Sequence, residues 1–307
     1  MARRARGHAG DADRDPARGR RHHHHLPREG GGALAERAVA SPDFDPSTIR
    51  AVAFDGYGTL FAYHDDEFRA AVTMVLADQG IAHPDHDAVY RTFFSAYGKA
   101  GPWGDLMPRT APTEPLTDQQ RSAITSHTLD GPLPPWMPTY EIWRRQWTIT
   151  FCAHQIAGDV DRAAGYLREE LARADAYPDA YATIEALAGR GLQVALLSNA
   201  DEDFLQSAVS RARLRFSVIQ SSESLRAYKP HRAVFAALCH RLGRDPASVL
   251  YVGDSLPADV RGALNAGLRS AWISRSERVT PGIPPTPHVT LTQLSQLLDL
   301  FEGAHGS

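Results

Sequence analysis

Residues 51–60 read AVAFDGYGTL, four apolar or small residues followed by Asp55 and a turn flanked by Gly56 and Gly58. A short apolar run without polar interruption reads as a strand buried on both faces, as in a central parallel sheet. Open α/β sheets bind their ligands at the carboxyl ends of such strands, which is where Asp55 falls. Asp55 is therefore the first candidate for a nucleophile; the plain alternative is an Asp that only shapes a glycine turn.

The same pattern recurs downstream. LQVALL (192–197) stops at Ser198-Asn199, a strand is expected near Phe216 to Ser221, and VLYV (249–252) stops at Gly253-Asp254. A last strand is expected near Ala271 to Ile273, before a helix from Leu291 to Phe301. Between these lie helical stretches at 178–188, at 203–213, from Pro230 to Gly243 with the proline in the first helical position, and up to Gly267. Alternating β and α units predict an α/β fold, a Rossmann-like doubly wound parallel sheet with helices on both faces and right-handed crossovers. Asp55, Ser198 and Asp254 then share one edge.

Between the first two long strands the chain turns helical. Phe68, Val72, Val75 and Leu76 follow a helical period after Asp65-Asp66, a second helix is expected around Tyr90 to Tyr97, and a further one runs from about Asp159 to Asp175. Trp143, Trp147 and Phe151 recur along one helix face, which marks packing rather than a ligand box. The proline-rich stretch from Pro102 to Pro138 is too long for a simple connection and reads either as a specificity loop or as a surface insertion. Residues 1–44, rich in Arg, Gly, Asp and Ala with four consecutive histidines, carry no apolar period and are expected to be disordered. The division is thus 1–44 as an N-terminal segment, 45–63 with 177–307 as the core, and 64–176 as a helical insertion.

Composition narrows the function. The 307 residues are 43% hydrophobic and 22% charged with a net charge of -3, which gives no overall attraction to nucleic acid or membrane. No apolar run approaches a membrane span and there is no secretory h-region near Met1. Cys152 and Cys239 stand outside any metal or redox spacing, so a reducing cytoplasm is the expected location. The partner is a small molecule, and nothing separates a monomer from a homodimer. Arg supplies every basic residue except Lys99 and Lys229; Lys99 reads as a surface residue, while Lys229, in Tyr228-Lys229-Pro230, invites a reason.

Four segments, Asp55-Gly56-Tyr57-Gly58-Thr59-Leu60, Leu197-Ser198-Asn199, Tyr228-Lys229-Pro230 and Gly253-Asp254-Ser255 with Asp259, stand in this order over about residues 48–275. Together they resemble the four motifs of the haloacid dehalogenase-like hydrolase superfamily with a helical cap inserted after the first strand. The roles fit chemically. Asp55 would form and break a covalent intermediate, Ser198 and Asn199 would offer donors to an anionic oxygen, with Thr59 as a further substrate-binding residue, and Lys229 would bind both nucleophile and substrate. Three converging carboxylates, Asp55, Asp254 and Asp259, call for a hard divalent cation, and Mg²⁺ is expected. The resemblance adds the backbone carbonyl of Tyr57 to its ligands and implies closure of the cap during chemistry.

The motifs also disagree. In the phosphatase branch the position of Tyr57 is a second Asp that serves as general acid and base, and here the first motif is similar to the L-2-haloacid dehalogenases, which carry DxYGTL and need no metal. Gly253-Asp254-Ser255 is instead of the phosphatase type. The Tyr57 hydroxyl, His64 and Asp65 are the candidates for the missing acid. The sequence thus favours a magnesium-dependent phosphatase for a small metabolite, with a metal-independent 2-haloacid dehalogenase as the alternative and an inactive interaction protein of the same fold as a third.

Overall fold

The structure, a computed structural model, describes residues 37–83, 85–101, 129–133, 135–275 and 285–302. Strands β1 (Val39–Ala40), β2 (Ala51–Phe54), β3 (Gln193–Ser198), β4 (Val218–Ser221), β5 (Val249–Gly253), β6 (Arg269–Ile273) and β7 (Val289–Leu291) form one sheet in the order β1-β7-β6-β5-β2-β3-β4. All pairs are parallel except β1 with β7. Strand β2 is central, with Val52 beside Val194 on one side and Leu250 on the other.

Because side chains alternate along each strand, this register sorts them into two apolar layers. Val52, Phe54, Leu196, Leu250 and Val252 face one layer, and Ala51, Ala53, Ala195, Leu197 and Tyr251 face the other. Helices cover both. Helix α6 (Ala180–Gly189) and helix α7 (Glu202–Ala212) pack on the first layer, the short α8 (Ser222–Leu225) follows β4, and helix α9 (Arg232–Leu242) packs on the second.

The helical insertion leaves after β2 and returns before α6. It contains α1 (Asp65–Asp78), α2 (His86–Ser95), α3 (Tyr97–Ala100), α4 (Thr139–Ala153) and α5 (Val160–Arg173) among the described residues. Asp85 and Asp159 cap α2 and α5 by accepting backbone N–H groups of Ala88 and of Asp161 and Arg162. Trp143, Trp147 and Phe151 are buried, with the Trp147 ring between Phe93 at 4.6 Å and Phe151 at 5.1 Å. The stripe is packing, as its spacing implied. The two crossing segments lie side by side: Ala62 N–H donates to the Asp175 carbonyl and Tyr177 N–H to the Leu60 carbonyl, both at 2.8 Å.

Three local expectations need correction. Residues 37–44 are ordered into the fold, since Val39–Ala40 pairs with β7 and Phe44 is buried; two residues of edge pairing leave no periodicity to read. Residues 1–36 lie outside the described residues, as do 102–128 and 134 of the proline-rich stretch. Strand β7 occupies the start of the expected last helix, which shrinks to α11 (Gln296–Leu300). Pro230 follows a cis peptide bond, and α9 begins at Arg232, where the His231 ring nitrogen accepts the Ala233 N–H.

Candidate active site

The turn after β2 is tight. Leu60 and Phe61 both donate to the Gly56 carbonyl, at 2.7 and 2.9 Å, which brings Thr59 back toward the strand ends. Gly58 has φ +87°, and a Cβ there would stand 2.6 Å from Asp254 Oδ2. Only glycine meets both demands.

Lys229 is the hub. Its Nζ donates to Asp55 Oδ1 at 2.6 Å, to Asp259 Oδ1 at 2.6 Å and to the Tyr251 hydroxyl at 3.0 Å, so all three of its hydrogens have acceptors. The side chain is 2% exposed. Asn199 fixes the Lys229 main chain from both sides, its Oδ1 accepting the Lys229 N–H at 2.8 Å and its Nδ2 donating to the Lys229 carbonyl at 3.2 Å. The amide expected to meet substrate thus spends both its atoms on holding the lysine. Ser198 lies at the end of β3, and a Cβ on Gly56 would come 2.9 Å from its Oγ.

Asp259 sits in a π-helical turn, Leu256–Val260, that leads into α10 (Arg261–Asn265). Its Oδ2 accepts the Ser255 N–H at 2.9 Å while Oδ1 holds Lys229. Asp254 is differently placed: Thr59 Oγ1 donates to its Oδ1 at 3.1 Å, and His64 Nε2 lies 3.6 Å from its Oδ2. Trp272 Nε1 donates to the Asp254 carbonyl. Carboxylate oxygens of Asp55, Asp254 and Asp259 lie within 4.8 Å of one another.

Three carboxylates against one ammonium leave negative charge in excess. Burial pushes the Asp55 carboxyl up to about 7, with Asp259 and Asp254 adding to the shift and Lys229 opposing it. Asp254 is pushed up to about 6 by burial and Asp259, against Lys229 and the Thr59 hydrogen bond. Burial disfavours the Lys229 ammonium, but Asp259 and Asp55 more than offset it and hold its pKa above the ordinary value. Hard oxygen donors, crowded and under-neutralised, suit a small divalent cation.

Tyr57 goes elsewhere with its side chain. The hydroxyl donates to the Leu171 carbonyl of α5 at 3.1 Å, with the Phe204 carbonyl at 3.4 Å, and the ring packs on Phe61, Tyr63 and Phe204. Burial raises its pKa well above that of a free tyrosine. Asp65 accepts the Tyr90 hydroxyl at 3.0 Å. Of the three candidate acids, His64 is the one with an atom against the carboxylate cluster. Tyr251 and Trp272 carried no signal in the sequence, because a Tyr or Trp inside an apolar strand reads as packing.

Residues 49–267 match the haloacid dehalogenase-like hydrolase family. The chain belongs to it. This hydrolase is 29% identical over 161 residues to the (S)-2-haloacid dehalogenase of Pseudomonas sp. (strain YL), a span of 52% of this chain and 69% of that one. It is 32% identical over 126 residues to a pyrimidine 5'-nucleotidase of Escherichia coli (strain K12), a span of 39% and 56%. A solved L-2-haloacid dehalogenase superposes with a TM-score of 0.62 at 21% identity, covering 83% of this chain and 99% of that one, a likeness of fold. Relatives of both chemistries are present. The hydrolase has no helix among its described residues long and apolar enough to cross a membrane.

Proposed function

We propose that this hydrolase is a Mg²⁺-dependent phosphatase for a small phosphorylated metabolite, working through a covalent intermediate on Asp55. The observation that carries the reading is the charge imbalance, three converging carboxylates with a single ammonium among them. Asp55, Asp254 and the main-chain carbonyl of Tyr57 would hold the cation, with Asp259 behind them fixing Lys229; the Tyr57 carbonyl accepts no backbone hydrogen bond among the described residues. Bound there, Mg²⁺ would neutralise the carboxylates and the phosphoryl oxygens.

Lys229 holds Asp55 Oδ1, so Oδ2 is the oxygen offered to phosphorus. Attack forms the Asp55–phosphorus bond and breaks the ester bond, and the leaving oxygen takes a proton from His64 Nε2. Water then attacks the same phosphorus, the bond to Asp55 breaks, and the water proton returns to His64 as phosphate departs. Residues 45–63 and 177–307 act as the catalytic core, and residues 64–176 act as a cap that sets the substrate and excludes water. Two cysteines without a disulfide suit a cytoplasmic setting.

A 2-haloacid dehalogenase is the second reading, favoured by Tyr57 in the first motif and by the named Pseudomonas relative. Against it, a 2-haloacid is itself a carboxylate and would approach Asp55 with Asp254 uncompensated nearby. Purified protein given phosphate esters and 2-haloacids, with and without Mg²⁺, separates the two. Phosphate release that needs Mg²⁺ and is lost in Asp55→Asn, on the order of 10⁴-fold or more, is the expected result; halide release without metal would replace it.

A further inference from the structure

Outside the carboxylate cluster, one guanidinium touches every segment that joins the insertion to the core. Arg275 follows β6. Its Nη2 donates to the Thr59 carbonyl at 2.9 Å and to Asp179 Oδ1 at 3.1 Å, and its Nη1 donates to Asp179 Oδ2 at 3.3 Å. The group lies 3.6 Å over the Tyr177 ring. Asp179 in turn accepts the Leu294 N–H at 2.6 Å, which ties the pair to the segment after β7. Both partners are largely buried, at 16% and 17% side-chain exposure. A planar fork grips a carboxylate with two parallel bonds while it holds a carbonyl, and an ammonium lacks that bidentate geometry.

Thr59 faces two ways. Its carbonyl is gripped by Arg275, and its hydroxyl holds Asp254 Oδ1 at 3.1 Å. From this relay we infer that Arg275 is a positioning residue for the cation site: by fixing the Thr59 main chain it fixes the hydroxyl that aims Asp254. The inference rests on the proposed Mg²⁺ site. Partners that orient a ligating carboxylate typically change metal affinity about 10- to 100-fold when removed.

The test measures apparent Mg²⁺ affinity from the metal dependence of thermal stability, independently of turnover. Wild type, Arg275→Lys, Thr59→Val and the double variant are compared. R275K is expected to weaken Mg²⁺ about 10-fold, T59V by at least as much, and the double variant no more than T59V alone, because both changes cut the same relay. Additive losses, or an unchanged affinity in R275K, overturn the inference while leaving the Mg²⁺ site standing. A wild type that Mg²⁺ does not stabilise overturns the proposed site and the inference with it. Should R275K fail to fold, Asp179→Asn carries the same comparison, since it keeps an acceptor for Leu294 N–H and weakens only the pair that aims the guanidinium.

Discussion

The strand-end cluster and the interior of the helical insertion are both buried, and they are filled in opposite ways. Lys229 sits among acceptors with each Nζ hydrogen assigned, whereas Trp147 sits among rings and its indole N–H has no partner among the described residues. Charge must be matched group by group, while apolar contact is matched by area and volume. Damage to the first should therefore depend on pH, and damage to the second should not.

The largest effect is expected from Lys229→Met. Turnover should fall on the order of 10³-fold with the loss of the site's cation, and stability at pH 8 should fall by about 3–5 kcal/mol, the usual cost of stranding buried charge. Asp55 already has a folded-state pKa of about 7, raised above its unfolded value, so its stabilising contribution is present at low pH and lost as pH rises through 7. Without the ammonium that loss deepens. Denaturant titrations should show a larger deficit at pH 8 than at pH 5, and equal deficits would break the distinction.

Trp147→Ala comes next. Removing a fully buried indole should cost about 3–5 kcal/mol, the same at pH 5 and pH 8, with Mg²⁺ affinity unchanged. A deficit that varied with pH would mean that the insertion and the charged cluster are electrostatically linked after all. The smallest effect is expected from Tyr57→Phe, which removes one buried hydroxyl contact worth about 1 kcal/mol. Initial rates should stay within about 10-fold of wild type, since a general acid would cost 10²-fold or more. A loss in that larger range would return the Tyr57 hydroxyl to proton transfer and displace His64.

The same contrast explains what could be read in advance. Strand ends are legible because an apolar run that stops at Asp55, Ser198 or Asp254 states its position and its chemistry in adjacent letters. The parallel sheet followed from those runs, and the structure brings Asp55, Thr59, Lys229, Asp254 and Asp259 to one edge, although it turns the Tyr57 side chain into the insertion and gives Asn199 to the main chain of Lys229 rather than to open space. Arg275 was illegible, because its partners Thr59 and Asp179 are distant in sequence and meet only where the crossing segments do. Strand β1 was illegible for another reason: two exposed residues pairing through backbone alone leave no side-chain pattern. In the insertion, helical periodicity located the core face, but interior aromatics have no counterpart of the strand-end code. Substrate preference stays unwritten there.

The antiparallel contact between Phe61 and Ala176 has an evolutionary consequence. The insertion departs and comes home through a single doorway, so a recombined gene could exchange everything beyond it without altering the order of the strands or the residues at their ends. Specificity would then change by grafting rather than by rebuilding, provided that the graft kept His64 beside Asp254. A chain joined across the doorway by a short linker would keep the order of the strands and the carboxylates at their ends.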